Sequence, residues 1–274
     1  MPITRREAGL LGLLALSKPH AKAATVGPTD RFIPLVVDGG GWSTQIALTN
    51  LAAKRANLVV TLSPEAGANE RWSVELASTA GTVRTNTVEM ELLPGASAII
   101  ETSGAAAESS RGFADLVELA DQPIGAIATL TQRDGTKVIQ SFQVPLAPAH
   151  ERTSVVPIDL ADKTRATRFV WVSLTSTTML DIEFRNLAGE RVATGQVSLD
   201  GKAQVTVDPL EQWPELAASG FRGTMKWTVS FPGADRYEPR ILSALCLVSK
   251  EGLGWSAVPS MTLPTDQASA NPYE

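Results

Sequence analysis

The chain has very few of the side chains on which most covalent and metal chemistry depends. Its 274 residues include one cysteine, Cys246, and two histidines, His20 and His150. One cysteine cannot form an intramolecular disulfide, and zinc needs several converging cysteine, histidine or carboxylate ligands. Histidine-dependent serine or cysteine catalysis is disfavoured too, because a predicted cleavage removes His20 and His150 lies among proline and alanine. We therefore expect no enzyme activity, no catalytic residue, no metal site and no cofactor.

The chain also lacks an excess of basic residues and, beyond its N-terminus, any long apolar run. The formal net charge is -5 and the sequence pI is about 5.2, which argues against nucleic acid as a partner. No mature segment approaches the roughly 20 apolar residues that span a bilayer, so we expect no transmembrane segment. Hydrophobic residues make up 43% of the chain, enough for one large or two ordinary domains with real cores.

The N-terminus has the pattern of an export signal. Arg5 and Arg6 precede a short apolar run over residues 8–16, and Ala21 and Ala23 place small residues where a signal peptidase reads. We predict a signal peptide over residues 1–23, followed by a linker over residues 24–30, and thus a periplasmic or extracellular protein. The segment resembles a twin-arginine signal. The general secretory route and an uncleaved cytosolic N-terminus are the alternatives.

Residues 32–50 predict two strands joined by a glycine turn. An apolar run over residues 32–37 is followed by Asp38 and three glycines, which disfavour a helix and favour a turn. From Trp42 to Asn50 apolar and polar residues then alternate with a period of two, as in a strand with one buried face. Further strand-like segments with turn signals follow along the rest of the chain.

A second pass over residues 153–261 repeats this order of strands and turns. We therefore predict an all-β protein of two tandem antiparallel, Ig-like β-sandwich domains, at residues 31–146 and 153–261, with a linker at 147–152 and a disordered tail at 262–274. The copies differ at one connection. Leu210, Trp213 and Leu216 have helical spacing before Gly220, so a short helix should replace the loop 103–111 of the first copy.

Several short motifs carry a family resemblance. They are Phe32-Ile33-Pro34, Asp38-Gly39-Gly40-Gly41-Trp42-Ser43-Thr44, Leu48-Thr49-Asn50, Leu93-Pro94-Gly95 and Thr102-Ser103-Gly104 in the first copy, and Trp213-Pro214-Glu215-Leu216 and Gly220-Phe221-Arg222-Gly223 in the second. With them the chain resembles the tandem Ig-like β-sandwich repeats of secreted, mostly uncharacterised soil-bacterial proteins. The second copy departs from the pattern by having residues 161–164 in place of the triple glycine. The resemblance implies no catalytic residues.

Carboxylates are the remaining candidates for acid and base chemistry. Glu89 and Glu91 lie two residues apart on one predicted strand, about 7 Å from each other, a spacing at which two carboxylates could hold a sugar. Charged residues on an exposed strand face are far more common than catalytic pairs, and we favour that interpretation.

Binding residues are sought in aromatic side chains and in the diverging connection. The chain has six tryptophans, and Trp72 follows a polar loop, so we expect it to be the most exposed. Ser103 and Arg111 bound a loop that we expect to be mobile and to contact a partner. Trp213 either contacts a partner or plugs an open end of the second sandwich.

The sequence thus favours an exported, non-enzymatic structural or interaction module that presents β-sandwich surfaces to a protein or cell-surface partner. A carbohydrate-binding module that uses exposed tryptophan is the alternative.

Overall fold

The computed structural model describes residues 31–65, 72, 74–78, 81–120, 122–148, 153–173, 177–201, 203–230, 242–251, 254–258 and 261–262. The predicted signal peptide, the linker at 24–30 and the predicted tail beyond residue 262 lie outside these residues.

The strands of the N-terminal half are β1 (Arg31–Asp38), β2 (Trp42–Asn50), β3 (Ala56–Pro64), β4 (Val74–Ser78), β5 (Gly81–Thr85), β6 (Thr87–Leu92), β7 (Ser97–Thr102), β8 (Ser110–Glu118), β9 (Ile124–Asp134), β10 (Lys137–Pro145) and β11 (Ala147–Pro148). They form two antiparallel sheets, sheet A in the order β11-β1-β8-β3-β6 and sheet B in the order β10-β9-β2-β7-β4-β5.

The elements of the C-terminal half are β12 (Thr153–Asp159), β13 (Arg165–Ser173), β14 (Thr178–Asn186), β15 (Arg191–Leu199), β16 (Ala203–Val207), α1 (Pro209–Gln212), α2 (Pro214–Ser219), β17 (Arg222–Ser230), β18 (Leu242–Lys250), β19 (Gly254–Val258) and β20 (Met261–Thr262). Sheet C has the order β15-β14-β17-β12-β20 and sheet D the order β16-β13-β18-β19. The predicted all-β fold with antiparallel sandwiches and a short helical segment in the second half is confirmed.

The sheets divide between the two halves of the chain near the predicted linker. Ala147 and Pro148, its first two residues, form β11 and pair with Arg31 and Phe32 of β1. At the other end, β20 reaches Thr262, which pairs with Ser154 of β12. Residues 147–148 and 261–262, at the C-terminal boundaries of the two predicted sandwiches, are thus paired in sheets. The division into two separate domains stays a prediction.

The alternation seen in the sequence becomes burial on one face of each sheet. In β2, Thr44, Ile46 and Leu48 are buried while their neighbours are half-buried. The core of the second half centres on aromatic rings: Trp171 stacks on Phe169 with a centroid distance of 5.5 Å, and Trp227 meets Trp171 edge-on at 6.1 Å. Such pairs add to the stabilisation that apolar burial provides.

Three strands are buried on both faces, and they join the two halves. Every residue from Phe32 to Asp38 in β1 is buried, as are residues 169–173 of β13 and residues 244–247 of β18. Val170, Leu245 and Leu247 belong to the apolar cluster of the first half. Sheet D therefore packs against the core of the second half with one face and against the first half with the other. Burial on both faces explains why β1, β13 and β18 contain nearly continuous apolar runs.

Candidate functional site

The triple glycine forms a tight turn between β1 and β2. The φ angles of Gly39, Gly40 and Gly41 are 81°, 60° and 83°, a region that favours glycine. Backbone amides and carbonyls of Gly39 and Trp42 bond to each other across the turn. A Cβ at Gly39 would overlap the carbonyl oxygen of Glu108, and one at Gly41 would lie 2.5 Å from that of Arg133. Glycine is therefore needed at these positions for two reasons: the turn has positive φ angles, and the packed backbone leaves no space for a Cβ atom at Gly39 or Gly41.

The backbone packed on this turn is the loop between β7 and β8. Gly104 N donates to Asp38 Oδ1 over 2.8 Å, Gly40 N donates to Ala106 O over 2.8 Å, and Ser110 Oγ donates to Asp38 O over 3.2 Å. Residues 105–109 are nevertheless exposed. The loop 103–111 is thus exposed but hydrogen-bonded at both ends and in its middle, and its mobility stays a prediction.

The flanks of this loop carry the remaining predicted residues. Trp72 Nε1 donates to Ser110 Oγ over 3.0 Å, and the indole covers Gly112, where a Cβ would lie 2.7 Å from the ring. Arg111 pairs with Glu65 over 3.4 Å, and its side chain is 44% exposed. We call Asp38, Trp72, Arg111 and the loop residues 103–110 the loop cluster.

Ser103 is anchored to β4 within this cluster. Its amide donates to Glu75 O over 2.7 Å and its hydroxyl to Glu75 Oε2 over 3.3 Å. The structure thus brings three predicted binding residues, Trp72, Ser103 and Arg111, to one end of the first half. Sequence reasoning missed Asp38, whose buried carboxylate is the anchor of the loop; its position directly before the glycines was the available signal.

Trp213 does not belong to this site. It lies between α1 and α2 with 5% of its surface exposed, and its ring meets Phe184 edge-on at a centroid distance of 4.9 Å. It also fills the space above Gly195, where a Cβ would overlap the indole nitrogen. Of the two interpretations that the sequence left open, the buried plug is the one this position fits, and Trp213 offers no ring to a partner.

Local signals explain why the helical segment forms at this point. Asp208 caps α1 by accepting a hydrogen bond from Leu210 N, and Pro209 occupies the first turn, where its missing N–H costs nothing. Gly220 ends α2 with a φ of 58°, a left-handed conformation that suits glycine. Leu216 is buried in the same core as Trp213. The segment therefore closes the second core with its apolar side.

The other tryptophans contribute to packing. Trp171 and Trp227 are fully buried, and Trp42 and Trp255 are half-buried. Trp42 meets Phe142 edge-on at 6.1 Å, and the guanidinium of Arg168 lies 5.3 Å from the ring centre of Trp255. The structure describes all six tryptophans, and each is buried or half-buried. None of them presents the flat, exposed ring on which sugars stack.

The predicted carboxylate pair lies at the edge of sheet A. Glu89 and Glu91 are exposed on β6, opposite Val59 and Asn57 of β3. Glu91 forms an ion pair with Arg55 over 2.6 Å, which is the arrangement of a charged solvent face. Within the described parts of the chain, no three potential metal ligands lie together. The two helices described, of 4 and 6 residues, are too short to cross a membrane.

A groove of about 550 Å³ lies at one end of the second half, between sheets C and D. Its walls include Ile158, Val248 and Val258, and Leu187, which is 83% exposed, lies at its edge. This volume is within the range of small-molecule sites.

The cations of the groove are mostly engaged with neighbouring carboxylates. Arg222 pairs with Asp159 over 3.1 Å, and Arg165 pairs with Asp162 over 3.2 Å. Burial acts to raise the pKa of Asp159, but the Ala161 amide and the Arg222 guanidinium outweigh it and hold that pKa below its usual value. Most charged side chains at the groove are therefore already paired with each other. The groove is a weaker candidate for recognition than the loop cluster.

Comparisons with known proteins assign no family. No protein-family profile matches the chain, and no curated protein matches it. Among solved structures, it is similar to a Parabacteroides distasonis protein described as secreted, with 13% sequence identity over 74% of this chain and 73% of the other, and a TM-score of 0.21. A TM-score of that size does not show a common fold, so the functional argument depends on the residues of this chain.

Proposed function

We propose that the protein is an exported, non-enzymatic interaction module whose loop cluster contacts a protein or cell-surface partner. The observation that supports this most directly is the anchoring of an exposed loop: three hydrogen bonds join residues 104–110 to Asp38 and Gly40, while residues 105–109 face solvent. A loop that is already ordered loses little conformational entropy when it binds.

The chemistry of the flanks supports the same proposal. Trp72 contacts Ser110 and Gly112, and Arg111 lies between those two residues in the chain. Tryptophan and arginine are among the residue types that contribute most often to binding hot spots. The Arg111–Glu65 pair is partly exposed, with 44% and 32% of the two side chains accessible, so water already weakens it and separating it on binding costs little. A carbohydrate-binding role has less support, because the ring of Trp72 covers Gly112.

The export part of the proposal rests on the sequence pattern at residues 4–23, and the non-enzymatic part on the scarcity of histidine and cysteine. Export places the loop cluster outside the cytoplasm, where a cell-surface or secreted partner can reach it. Mass spectrometry of the protein from its native host tests this directly: an N-terminus at Ala24 supports export, and an intact Met1 in the soluble cytosolic fraction contradicts it.

Partner binding is tested by capture and mutation together. The biotinylated protein is incubated with outer-surface extract of the host, captured proteins are identified by mass spectrometry, and affinities for each purified partner are measured by biolayer interferometry. Replacing residues 105–109 by glycine and serine, or Arg111→Glu, should weaken a genuine partner at least tenfold. Arg191→Glu, the same charge reversal on exposed β15, is the control and should change nothing. A partner that binds all three variants equally would contradict the proposal.

A further inference from the structure

The four-strand part β10-β9-β2-β7 of sheet B has an outward face that carries less charge than the other exposed sheet faces. Its strands β10, β9, β2 and β7 run side by side, and their registers define four rows of outward side chains. We call this surface the neutral face. In these rows, all of them described, Glu101 is the single ionisable side chain. By contrast, the outward side of sheet C carries Asp181, Glu183 and Lys226, and that of sheet A carries Glu89 and Glu91.

An apolar row crosses the neutral face. Pro145 is paired with Ile127, Ile127 with Ala47, and Ala47 with Ile99. Ile99 is 54% exposed although it lies in the middle of a regular strand. Rows of polar side chains lie on both sides of it. One is formed by Gln143, Thr129, Gln45 and Glu101, and the other ends at Thr49 and Ser97. The face therefore has an apolar centre with a polar border in which Glu101 is the one charged side chain, and protein interfaces have the same arrangement.

Hydrogen bonds along the rows hold several of these side chains in place. Thr49 and Ser97 hydroxyls lie 2.9 Å apart, and those of Thr131 and Ser141 lie 3.2 Å apart. Side chains that are already ordered lose less entropy when a partner covers them. Because these side chains stand on a regular sheet and none is aromatic, a second sheet can approach to the spacing of about 10 Å at which sheets pack face to face.

We propose that the neutral face binds the same face of a second copy of the chain and forms a two-fold symmetric dimer. The proposal concerns a surface other than the loop cluster and does not depend on the proposed function. A symmetric contact places each face against itself, so a face with one ionisable side chain meets less like-charge repulsion than the Glu89 and Glu91 side of sheet A would, and buries fewer charges than the mixed-charge side of sheet C would. A neutral face also offers no charge to a nucleic acid or an anionic lipid surface, and without an aromatic residue in its rows it has no stacking surface for sugars.

The size of the neutral face sets the strength of the dimer. Four strands about 4.8 Å apart and four rows about 6.8 Å apart cover roughly 500 Å² per copy. Two copies then bury about 1,000 Å², the lower bound for a specific interface, and we expect a weak dimer with a dissociation constant of micromolar order. The contact should be insensitive to salt because it lacks charged pairs.

Sedimentation velocity of the full chain from about 1 to about 200 µM, a range chosen to bracket a micromolar dissociation constant, tests the dimer. We expect a monomer–dimer equilibrium that is unchanged between low and high salt. Thr129→Lys introduces a charge between Gln143 and Gln45, and it should weaken the dimer at least tenfold. The matched control Thr228→Lys changes a half-buried threonine in the middle of sheet C and should leave the dimer intact.

A charge-swap experiment identifies the symmetric contact. Thr129→Lys and Thr129→Glu should each dimerise at least tenfold more weakly alone, while an equal mixture should restore a 1:1 dimer, because the contact then joins opposite charges instead of like charges. Melting temperatures close to that of the unchanged chain show that the variants fold. A chain that stays monomeric at about 200 µM, a dimer that Thr129→Lys leaves unchanged, or a monomer whose neutral face binds an uncharged polysaccharide would overturn the proposal.

Discussion

Gln204 of β16 donates a hydrogen bond from its side-chain nitrogen to the carbonyl oxygen of Gly112 in β8, across 3.0 Å and between the two halves of the chain. The same nitrogen donates to the carbonyl oxygen of Pro34 in β1. The Gln204 side chain is fully buried. One buried polar side chain of the second half thus reaches two backbone carbonyls of the first half.

Removing this amide should destabilise the protein. Gln204→Leu leaves the carbonyls of Pro34 and Gly112 without these partners in a buried place, and we expect the free energy of unfolding to fall by about 1–3 kcal/mol. Urea denaturation followed by tryptophan fluorescence measures it. Gln196→Leu is the control, since Gln196 bonds to Asp181 on an exposed strand and its loss should cost less than about 0.5 kcal/mol. Equal losses for the two variants would contradict this role.

Separation of the halves should be unfavourable even when the chain is cut. With a protease site inserted after His150, cleavage should give two fragments that still elute together, because Val170, Leu245 and Leu247 pack in the core of the first half. Gel filtration before and after cleavage measures this. Fragments that separate and each melt cooperatively would instead show two autonomous sandwiches, as the sequence alone suggests.

The triple glycine provides a test of the loop anchor. Gly39→Ala places a methyl group against the carbonyl oxygen of Glu108 as well as straining a backbone with φ of 81°. Gly189→Ala has the same backbone strain, with φ of 83°, but no atom within 4 Å of the added Cβ. We expect Gly39→Ala to lower the melting temperature more and to raise amide hydrogen exchange in residues 104–110. Similar hydrogen exchange in the two variants would show that Gly39 is needed only for its backbone conformation in the turn and not for the packing of the loop.

Trp213 should behave as a core residue. Trp213→Ala should lower the free energy of unfolding by about 3–5 kcal/mol, the range for large aromatic truncations in cores. Trp72→Ala, at the half-buried Trp72, should cost less stability while weakening partner binding. Thermal melting and interferometry on both variants separate the two effects. A Trp213→Ala protein that melts like the unchanged chain would rule out the plug.

Burial of Cys246 predicts both its reactivity and a pH dependence. Removal from water raises the pKa of the Cys246 thiol from 9.0 to about 12, so it should react with Ellman's reagent only after unfolding. The unfolded thiol ionises above pH 9 while the folded one stays protonated up to about pH 12. Stability contributed by this group is therefore complete below pH 9 and declines as the pH rises towards 12. The stability advantage over Cys246→Ala should shrink across that window; a constant difference would contradict the raised pKa.

The sequence by itself determined the elements that depend on local patterns. The period-two alternation from Trp42 to Asn50 predicts β2, and the three glycines after Asp38 predict the turn before it. The spacing of Leu210, Trp213 and Leu216 likewise predicts the helical segment, because a helix face is set by residues only a few positions apart. These signals sufficed for the all-β class and for placing Trp72, Ser103 and Arg111 among the candidates.

Only the tertiary structure decided which of these residues act together. The anchoring of residues 104–110 depends on contacts between Asp38 and Gly104, 66 positions apart in the chain, and no local pattern encodes such a contact. The burial of Trp213 and the double burial of Val170 depend on which layers pack together. The neutral face exists because strand registers bring Pro145, Ile127, Ala47 and Ile99 into one row. Register is set by pairing across the whole sheet, so a surface of this kind emerges only when the strands have assembled.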